Sequence, residues 1–274
     1  MIADNHYHYE TDFERIKIQA ELAYNSDKKV IDRAITSLKQ IKKSAVLKIL
    51  DFGCGDGLLT FSRFNQYKNI VVHGYDKNQS CIQKANSQYL SGDFHFFNFD
   101  INDDNFPKDE KFDLIFSANT LHHLDRPMQS LQRLWNMLDT YSALIIRTPD
   151  DRSKVFHPQS KALDILINEY NRISKSNRYY GNQLYGDLLK LHPNPKTIKV
   201  FYHIDTNVNA GKSKKKKLFE DLFRFRINSM KGLNLLSGDD EHEIGIFQKE
   251  FTGSNRIYFH SLQYTFLTFK PQKQ

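Results

Sequence analysis

The sequence predicts a doubly wound α/β fold. The expected sheet has seven strands, mostly parallel with an antiparallel last strand, and a helical insertion follows strand five. Three observations predict it. Five short apolar runs between Val46 and Thr148 alternate with segments of helical spacing. The runs are apolar throughout, as strands covered on both faces are, and do not alternate with polar residues. A glycine turn, Gly53-Cys54-Gly55-Asp56-Gly57, joins the first run to the helix after it.

Taken in order, Phe13, Ile16, Ala20 and Ala23 give a helix from about Asp12 to Tyr24. A second helix is expected from about Asp27 to Lys42, with Ser26 or Asp27 as its N-cap. Strand one is Val46–Phe52, strand two Ile70–Tyr75, strand three Phe94–Phe97, strand four Phe112–Ser117 and strand five Ala143–Thr148. Pro127 opens a helix with the stripe Met128, Leu131, Leu134, Trp135 and Leu138. Residues 149–195 hold no strand candidate. They read as a helix from about Ser160 to Ser174, a tyrosine-rich turn, and a helix from Gln183 to Leu191. Strand six is Thr197–Ile204, a helix covers about Lys214–Met230, and residues 232–252 read as a loop or short helix. Alternation from Arg256 to Phe269 makes the last strand.

The organisation is one domain over residues 1–274. It comprises N-terminal helices (1–45), a cofactor-binding core (46–148), a helical lid insertion (149–195) and the rest of the sheet (196–274). The 21 Phe and 14 Tyr supply ample core material. No apolar run is long enough to cross a bilayer, and the N-terminus lacks a secretory pattern. Two cysteines make a disulfide framework an unsuitable reading, so a cytoplasmic setting is expected. The net charge of +7 owes much to the run Lys212 to Lys217, read as a solvated helix start. Neither a nucleic-acid partner nor a membrane is expected.

The glycine turn narrows the ligand class. Glycine lets a backbone come close to a ligand, and the following helix points unpaired N–H groups and its positive end at the same place. A polar, partly anionic ligand is therefore expected there. A nucleotide triphosphate loop would end in Gly-Lys-Ser/Thr, but Leu58 and Leu59 follow Gly57. A dinucleotide fingerprint needs a glycine where Leu58 stands.

The segment Leu50-Asp51-Phe52-Gly53-Cys54-Gly55-Asp56-Gly57 closely resembles the first motif of class I S-adenosylmethionine-dependent methyltransferases, small-molecule type, which have a Rossmann-like fold. The stretch Ser117-Ala118-Asn119-Thr120-Leu121-His122-His123-Leu124 resembles the element after their fourth strand. The resemblance implies S-adenosylmethionine as cofactor and S-adenosylhomocysteine as its product. It implies a cofactor site of Asp51, Gly53, Cys54, Gly55, Gly57, Asp76, Lys77, Asp100, Ile101 and Asn119. In that site Asp51 orients the turn and meets the ammonium, directly or through water, while Asp76 meets the ribose hydroxyls, Asp100 the adenine amine and Ile101 the adenine ring.

The expected reaction is in-line methyl transfer to a small-molecule acceptor. His122 and His123 are the catalytic candidates, since an imidazole titrates near neutral pH. Arg15, Gln19, Arg147, His157, Tyr179 and Tyr180 are candidate acceptor-pocket residues. No metal site is expected; His6 with His8, and His122 with His123, make pairs only. Ser117-Ala118-Asn119-Thr120 replaces the Asn/Asp-Pro-Pro-Tyr/Phe element of nucleobase amine methylation. The alternatives are a cofactor-binding partner subunit or sensor without catalysis, and an RNA or protein methyltransferase.

Overall fold

The computed structural model describes residues 9–43, 45–174 and 176–271. The pair His6 and His8, and the side chains of Phe13 and Ala20, lie outside the described residues. The described chain forms two compact units. The larger holds Ala23–Pro149, Tyr180–His203 and the chain from Tyr264. The smaller holds the residues up to Leu22, Asp150–Tyr179 and Ile204–Gln263. No described helix is long and apolar enough to cross a membrane.

The first departure from the sequence reading is at the start. One helix, α1 (Tyr9–Lys42), replaces the two expected. Ser26 does not cap a new helix; its hydroxyl donates to the Ala23 carbonyl 2.8 Å away, inside the same helix. Asp27 is not a cap either. It is buried at 1% exposure and ion-paired. A Ser-Asp pair looks like a helix start because its side chains so often cap orphan N–H groups. Here the helix's own backbone takes Ser26 and a tertiary partner, Arg63, takes Asp27.

In the larger unit α1 is followed by β1 (Leu47–Phe52), α2 (Leu58–Phe64), β2 (Ile70–Asp76), α3 (Gln79–Tyr89), β3 (Phe94–Asn98), β4 (Phe112–Ala118), α4 (Pro127–Met137) and β5 (Leu138–Pro149). β1 pairs in parallel with β2 and β4, β2 with β3, and β4 with β5. The register sets Asp51 opposite Gly74 and Phe52 opposite Tyr75, so the carboxyl ends of β1 and β2 finish side by side. Ile49, Leu50, Val72, Leu114, Ile115, Phe116, Leu144 and Ile145 are fully buried, which is why these strands read as unbroken apolar runs.

The remaining elements are β6 (Val155–His157), α5 (Lys161–Leu163), a π-helical stretch (Asp164–Glu169) running into α6 (Tyr170–Ile173), α7 (Tyr180–Leu191), β7 (Ile198–Thr206), α8 (Lys212–Phe219), a second π-helical stretch (Glu220–Arg224), α9 (Phe225–Gly232), α10 (Gly238–Gly253) and β8 (Tyr258–Lys270). The strand order is β3-β2-β1-β4-β5-β8-β6, with β7 also beside β8. The sheet therefore has eight strands, not seven. The extra one, β6, pairs antiparallel with Tyr258, Phe259 and His260 of β8. Three residues are too few to carry a period, so the sequence gives no sign of it.

The smaller unit has its own core. Phe156, Phe219, Phe223, Phe247, Phe251 and Phe259 pack together with ring centroids 4.8–6.4 Å apart. α10 corrects the expected loop at 232–252. Glycines at 238, 245 and 253 obscure it, yet Ser237 and Asp240 form a reciprocal capping box and Ile244, Phe247 and Phe251 share one buried stripe. Burying two Phe contributes about 3–6 kcal/mol at about 1.5–3 each, enough to override three glycines.

Candidate functional site

The turn after β1 is a left-handed one at three alternate positions: Gly53 at φ 79°, Gly55 at 56° and Gly57 at 77°. Two of these glycines are also demanded by close packing. A Cβ on Gly53 would stand 2.1 Å from the Thr120 hydroxyl, and one on Gly57 2.9 Å from the Phe96 ring. The turn is latched to β2 by its own backbone. The N–H groups of Gly53 and Cys54 donate to the Tyr75 carbonyl at 2.8 and 3.1 Å, and the Gly55 N–H donates to Asp76 Oδ2 at 2.9 Å.

A helix start favours a nearby negative charge. Asp56 already supplies one. Its Oδ1 accepts the Leu58 N–H at 3.2 Å, and its carboxylate, 2% exposed, is paired with Lys84 at 2.9 Å. With Gly53, Cys54 and Gly55 donating to protein acceptors, the turn is not a phosphate cradle, and the missing lysine agrees with that.

Asp76 ends β2 and is half-buried. Its Oδ1 accepts the Asn78 N–H at 2.9 Å while Oδ2 holds Gly55. A carboxylate has about four acceptor positions, so capacity remains for ligand hydroxyls. Burial pushes the Asp76 carboxyl above its ordinary value, against the pull of those backbone donors. Lys77 beside it is exposed.

After β3, Asp100 is half-buried and accepts from the Asn102 backbone and side chain at 2.9 and 3.0 Å. Ile101 is 2% exposed and belongs to the core cluster with Tyr75 and Phe106. Its carbonyl is held by Arg133 of α4. After β4, Asn119 adopts φ 56°, uncommon for a residue with a side chain, and its N–H donates to the Arg147 carbonyl at 2.9 Å. Among the described residues, the Asn119 side-chain oxygen is buried with no hydrogen-bond donor. A strained backbone and an unanswered oxygen at a strand end are features of ligand-contact positions.

Asp51 lies near the end of β1, behind the glycine turn. It is 1% exposed and accepts the Thr60 hydroxyl at 2.6 Å, with Arg63 Nη1 at 3.7 Å. Burial raises its carboxyl, and the Arg63 charge opposes that. Arg63 in turn donates from Nε to Asp27 at 2.9 Å, and Arg147 Nη1 lies 3.4 Å from the other Asp27 oxygen. The Arg63 guanidinium also lies over the Phe116 ring, 4.7 Å from its centroid. Two acids and two guanidiniums thus share a buried network joining α1, β1, α2 and β5. Arg147, expected to line a pocket, is 4% exposed and belongs to this network. Asp27, Thr60, Arg63 and Thr120 were missed from the sequence; the one signal was a charged residue on the inner face of each helix.

His122 and His123 form a helical turn after β4, with ring centroids 4.0 Å apart. His122 is buried at 1% exposure and His123 is exposed. Tyr180 is also buried, its hydroxyl 3.2 Å from Asp187 within α7, so it packs in the core with Leu184 and Leu188.

The smaller unit holds Arg15, Gln19, His157 and Tyr179. Arg15 is 3.6 Å from Asp221 and lies over the Phe225 ring, and Gln19 is half-buried. His157 is exposed on β6. Tyr179 accepts from Asn171 at 3.2 Å and has the Arg152 guanidinium over its ring. Among the described residues, no three His, Cys, Asp or Glu side chains cluster as a metal site would.

The chain resembles known proteins in sequence and in fold. Two curated relatives match the chain in part. The malonyl-[acyl-carrier protein] O-methyltransferase 1 of Ilyobacter polytropus is 29% identical over 92 residues, covering 33% of this chain and 34% of the relative. A histidine protein methyltransferase 1 homolog of Dictyostelium discoideum is 28% identical over 112 residues, covering 34% and 31%. The matched segment thus spans about a third of the length of these relatives. Among solved structures, the Haemonchus contortus phosphoethanolamine N-methyltransferase 2 shares the fold, with a TM-score of 0.51 at 16% identity over 88% of this chain and 53% of that one. A family model described as a methyltransferase domain matches residues 43–225, well over half of the chain and all of β1 to β5 with the glycine turn. On that match this chain belongs to the methyltransferase-domain family.

Proposed function

We propose that this protein transfers the methyl group of S-adenosylmethionine to a small-molecule acceptor, by in-line displacement. The observation that carries the cofactor is Asp76. Its carboxylate is held by two backbone N–H groups, beside a turn whose own donors are spent, and it keeps capacity for ligand hydroxyls. That suits a ribose and does not suit a phosphate. The Asn119 oxygen suits a donor such as an ammonium, and Asp100 with Ile101 suits an adenine edge and face.

The cofactor supplies an activated methyl on a sulfonium. The chain's part is to orient the partners and exclude water, which can supply several powers of ten in rate. A base is needed where the acceptor must lose a proton. Of the two histidines, exposed His123 is the one we assign that role, and buried His122 fixes its turn.

The acceptor reading draws support from Ser117-Ala118-Asn119-Thr120 in place of the element that methylates base amines. The relatives' names span a carrier-protein-linked acid and a protein histidine, so the acceptor class has its own experiment. Calorimetry should detect S-adenosylmethionine and S-adenosylhomocysteine binding and none of NAD; the reverse sinks the cofactor assignment. Transfer of labelled methyl to a metabolite extract, with none to RNA or protein, would support the small-molecule acceptor, and salt-sensitive labelling of RNA would overturn it.

A further inference from the structure

Residues 99–111 join β3 to β4 with neither helix nor strand, and Asp100 and Ile101 stand near the start of that stretch. A loop keeps a ligand contact in place only where its backbone is fastened to something rigid. At its start the Phe99 N–H donates to the Asp76 carbonyl at 3.1 Å. Further on, the Phe106 ring packs edge-on against Tyr75, with centroids 6.0 Å apart. Between these points Arg133 of α4 reaches across and donates from Nη1 to the Ile101 carbonyl.

That contact acts on Asp100 through one peptide unit. The Ile101 carbonyl and the Asn102 N–H share a planar amide, so fixing one end fixes the other. Arg133 holds the oxygen end, and the N–H end donates to Asp100 Oδ1 at 2.9 Å. The Asn102 side chain donates to the same oxygen at 3.0 Å. A guanidinium, a peptide and a carboxylate thus form a chain of hydrogen bonds, each polarising the next. Asp100 Oδ1 is engaged by this chain. Oδ2 accepts no hydrogen bond among the described residues, and the residue is half-buried, not enclosed. Arg133 itself is set by α4, whose Leu131, Leu134 and Trp135 are buried in the same apolar cluster as Ile101. The loop therefore takes its position here from a packed helix and not only from its own turns.

We propose that Arg133 is a positioning residue for the nucleobase end of the cofactor. By holding the Ile101–Asn102 peptide it aims Asp100 Oδ2 at the exocyclic amine, without touching the ligand itself. This role rests on Asp100 as the adenine contact, and the two can fail separately.

The test is titration calorimetry on the full chain with S-adenosylhomocysteine and with its 6-deamino analogue, which lacks the amine and changes nothing else. The unaltered protein should prefer S-adenosylhomocysteine by roughly tenfold, the worth of one hydrogen bond to a charged group. Arg133→Met should shrink that preference to about twofold or less, chiefly by weakening S-adenosylhomocysteine. Arg133→Lys, which keeps a charged donor, should restore part of it. A purely structural role would weaken both ligands alike and leave the preference intact; that result in a folded Arg133→Met protein overturns the proposal. Should Arg133→Met not fold, Arg133→Gln is put to the same comparison. An unaltered protein that binds both ligands equally removes Asp100 as the amine contact, and the role of Arg133 with it. One that binds neither overturns the cofactor reading as well.

Discussion

Arg63 Nε lies 2.9 Å from Asp27 Oδ2, with the two side chains 6% and 2% exposed. Through this contact α1 is tied to α2, the helix that leaves the glycine turn, and Arg63 also faces Asp51 at the end of β1. Removing one member of such a pair leaves an uncompensated buried charge. Asp27→Ala should lower stability by about 3–5 kcal/mol. Chemical denaturation measures this, and a loss below about 1 kcal/mol would mean that water reaches Arg63. Asp27→Ala with Arg63→Met should cost less than the sum of the two single changes, since the second removes the stranded guanidinium.

Asp76 should govern cofactor affinity with little effect on methyl transfer from the bound state. Asp76→Ala loses ligand hydrogen bonds and frees the Gly55 and Asn78 N–H groups. Affinity for S-adenosylhomocysteine should fall by about 1–3 kcal/mol, roughly five- to 150-fold. Calorimetry with unchanged affinity would place the ribose elsewhere.

Gly53 and Thr120 form a pair that a double-mutant cycle can separate. Gly53→Ala meets both a left-handed φ and the Thr120 hydroxyl. The backbone part alone costs about 1–2 kcal/mol. Thr120→Ala should remove the contacts at 2.1 and 2.6 Å and keep the Thr120 Cβ at 2.8 Å, so it should restore part of the loss beyond that backbone strain. If the double variant is no more stable than Gly53→Ala alone, the steric contact is not what excludes a side chain here.

His122 and His123 should separate by phenotype. His123→Ala, at an exposed position, should leave the denaturation midpoint within about 0.5 kcal/mol of the parent. Its turnover should fall about 10²- to 10⁴-fold if the acceptor gives up a proton to it. His122→Ala should chiefly lower stability. Equal turnover in the parent and the His123→Ala protein, with saturating cofactor and acceptor, would remove His123 from the chemistry.

Much of the larger unit was legible in the sequence for local reasons. Strands buried on both faces have to be apolar runs, and a turn with three left-handed positions has to be glycine-rich. The element errors have equally local causes. Ser26 and Asp27 looked like a cap because capping is what short polar side chains do where no tertiary partner competes. The stripe of Ile244, Phe247 and Phe251 was present in the sequence, but three glycines in the same segment outweighed it. β6 falls below the length at which periodicity exists.

The sequence by itself determined the fold class, the glycine turn and the acids that follow the second and third strands, because spacing along the chain encodes backbone conformation. Only the tertiary structure decided which partners the other charged residues take. Asp51 is held by Arg63 and Thr60 because those side chains reach it, and Asp56 caps the start of α2. Arg147 left the candidate pocket for Asp27, and Arg133 reached the Ile101 carbonyl. Each of these depends on where distant segments bring their charges after folding, and burial then makes the pairing of those charges the controlling energy.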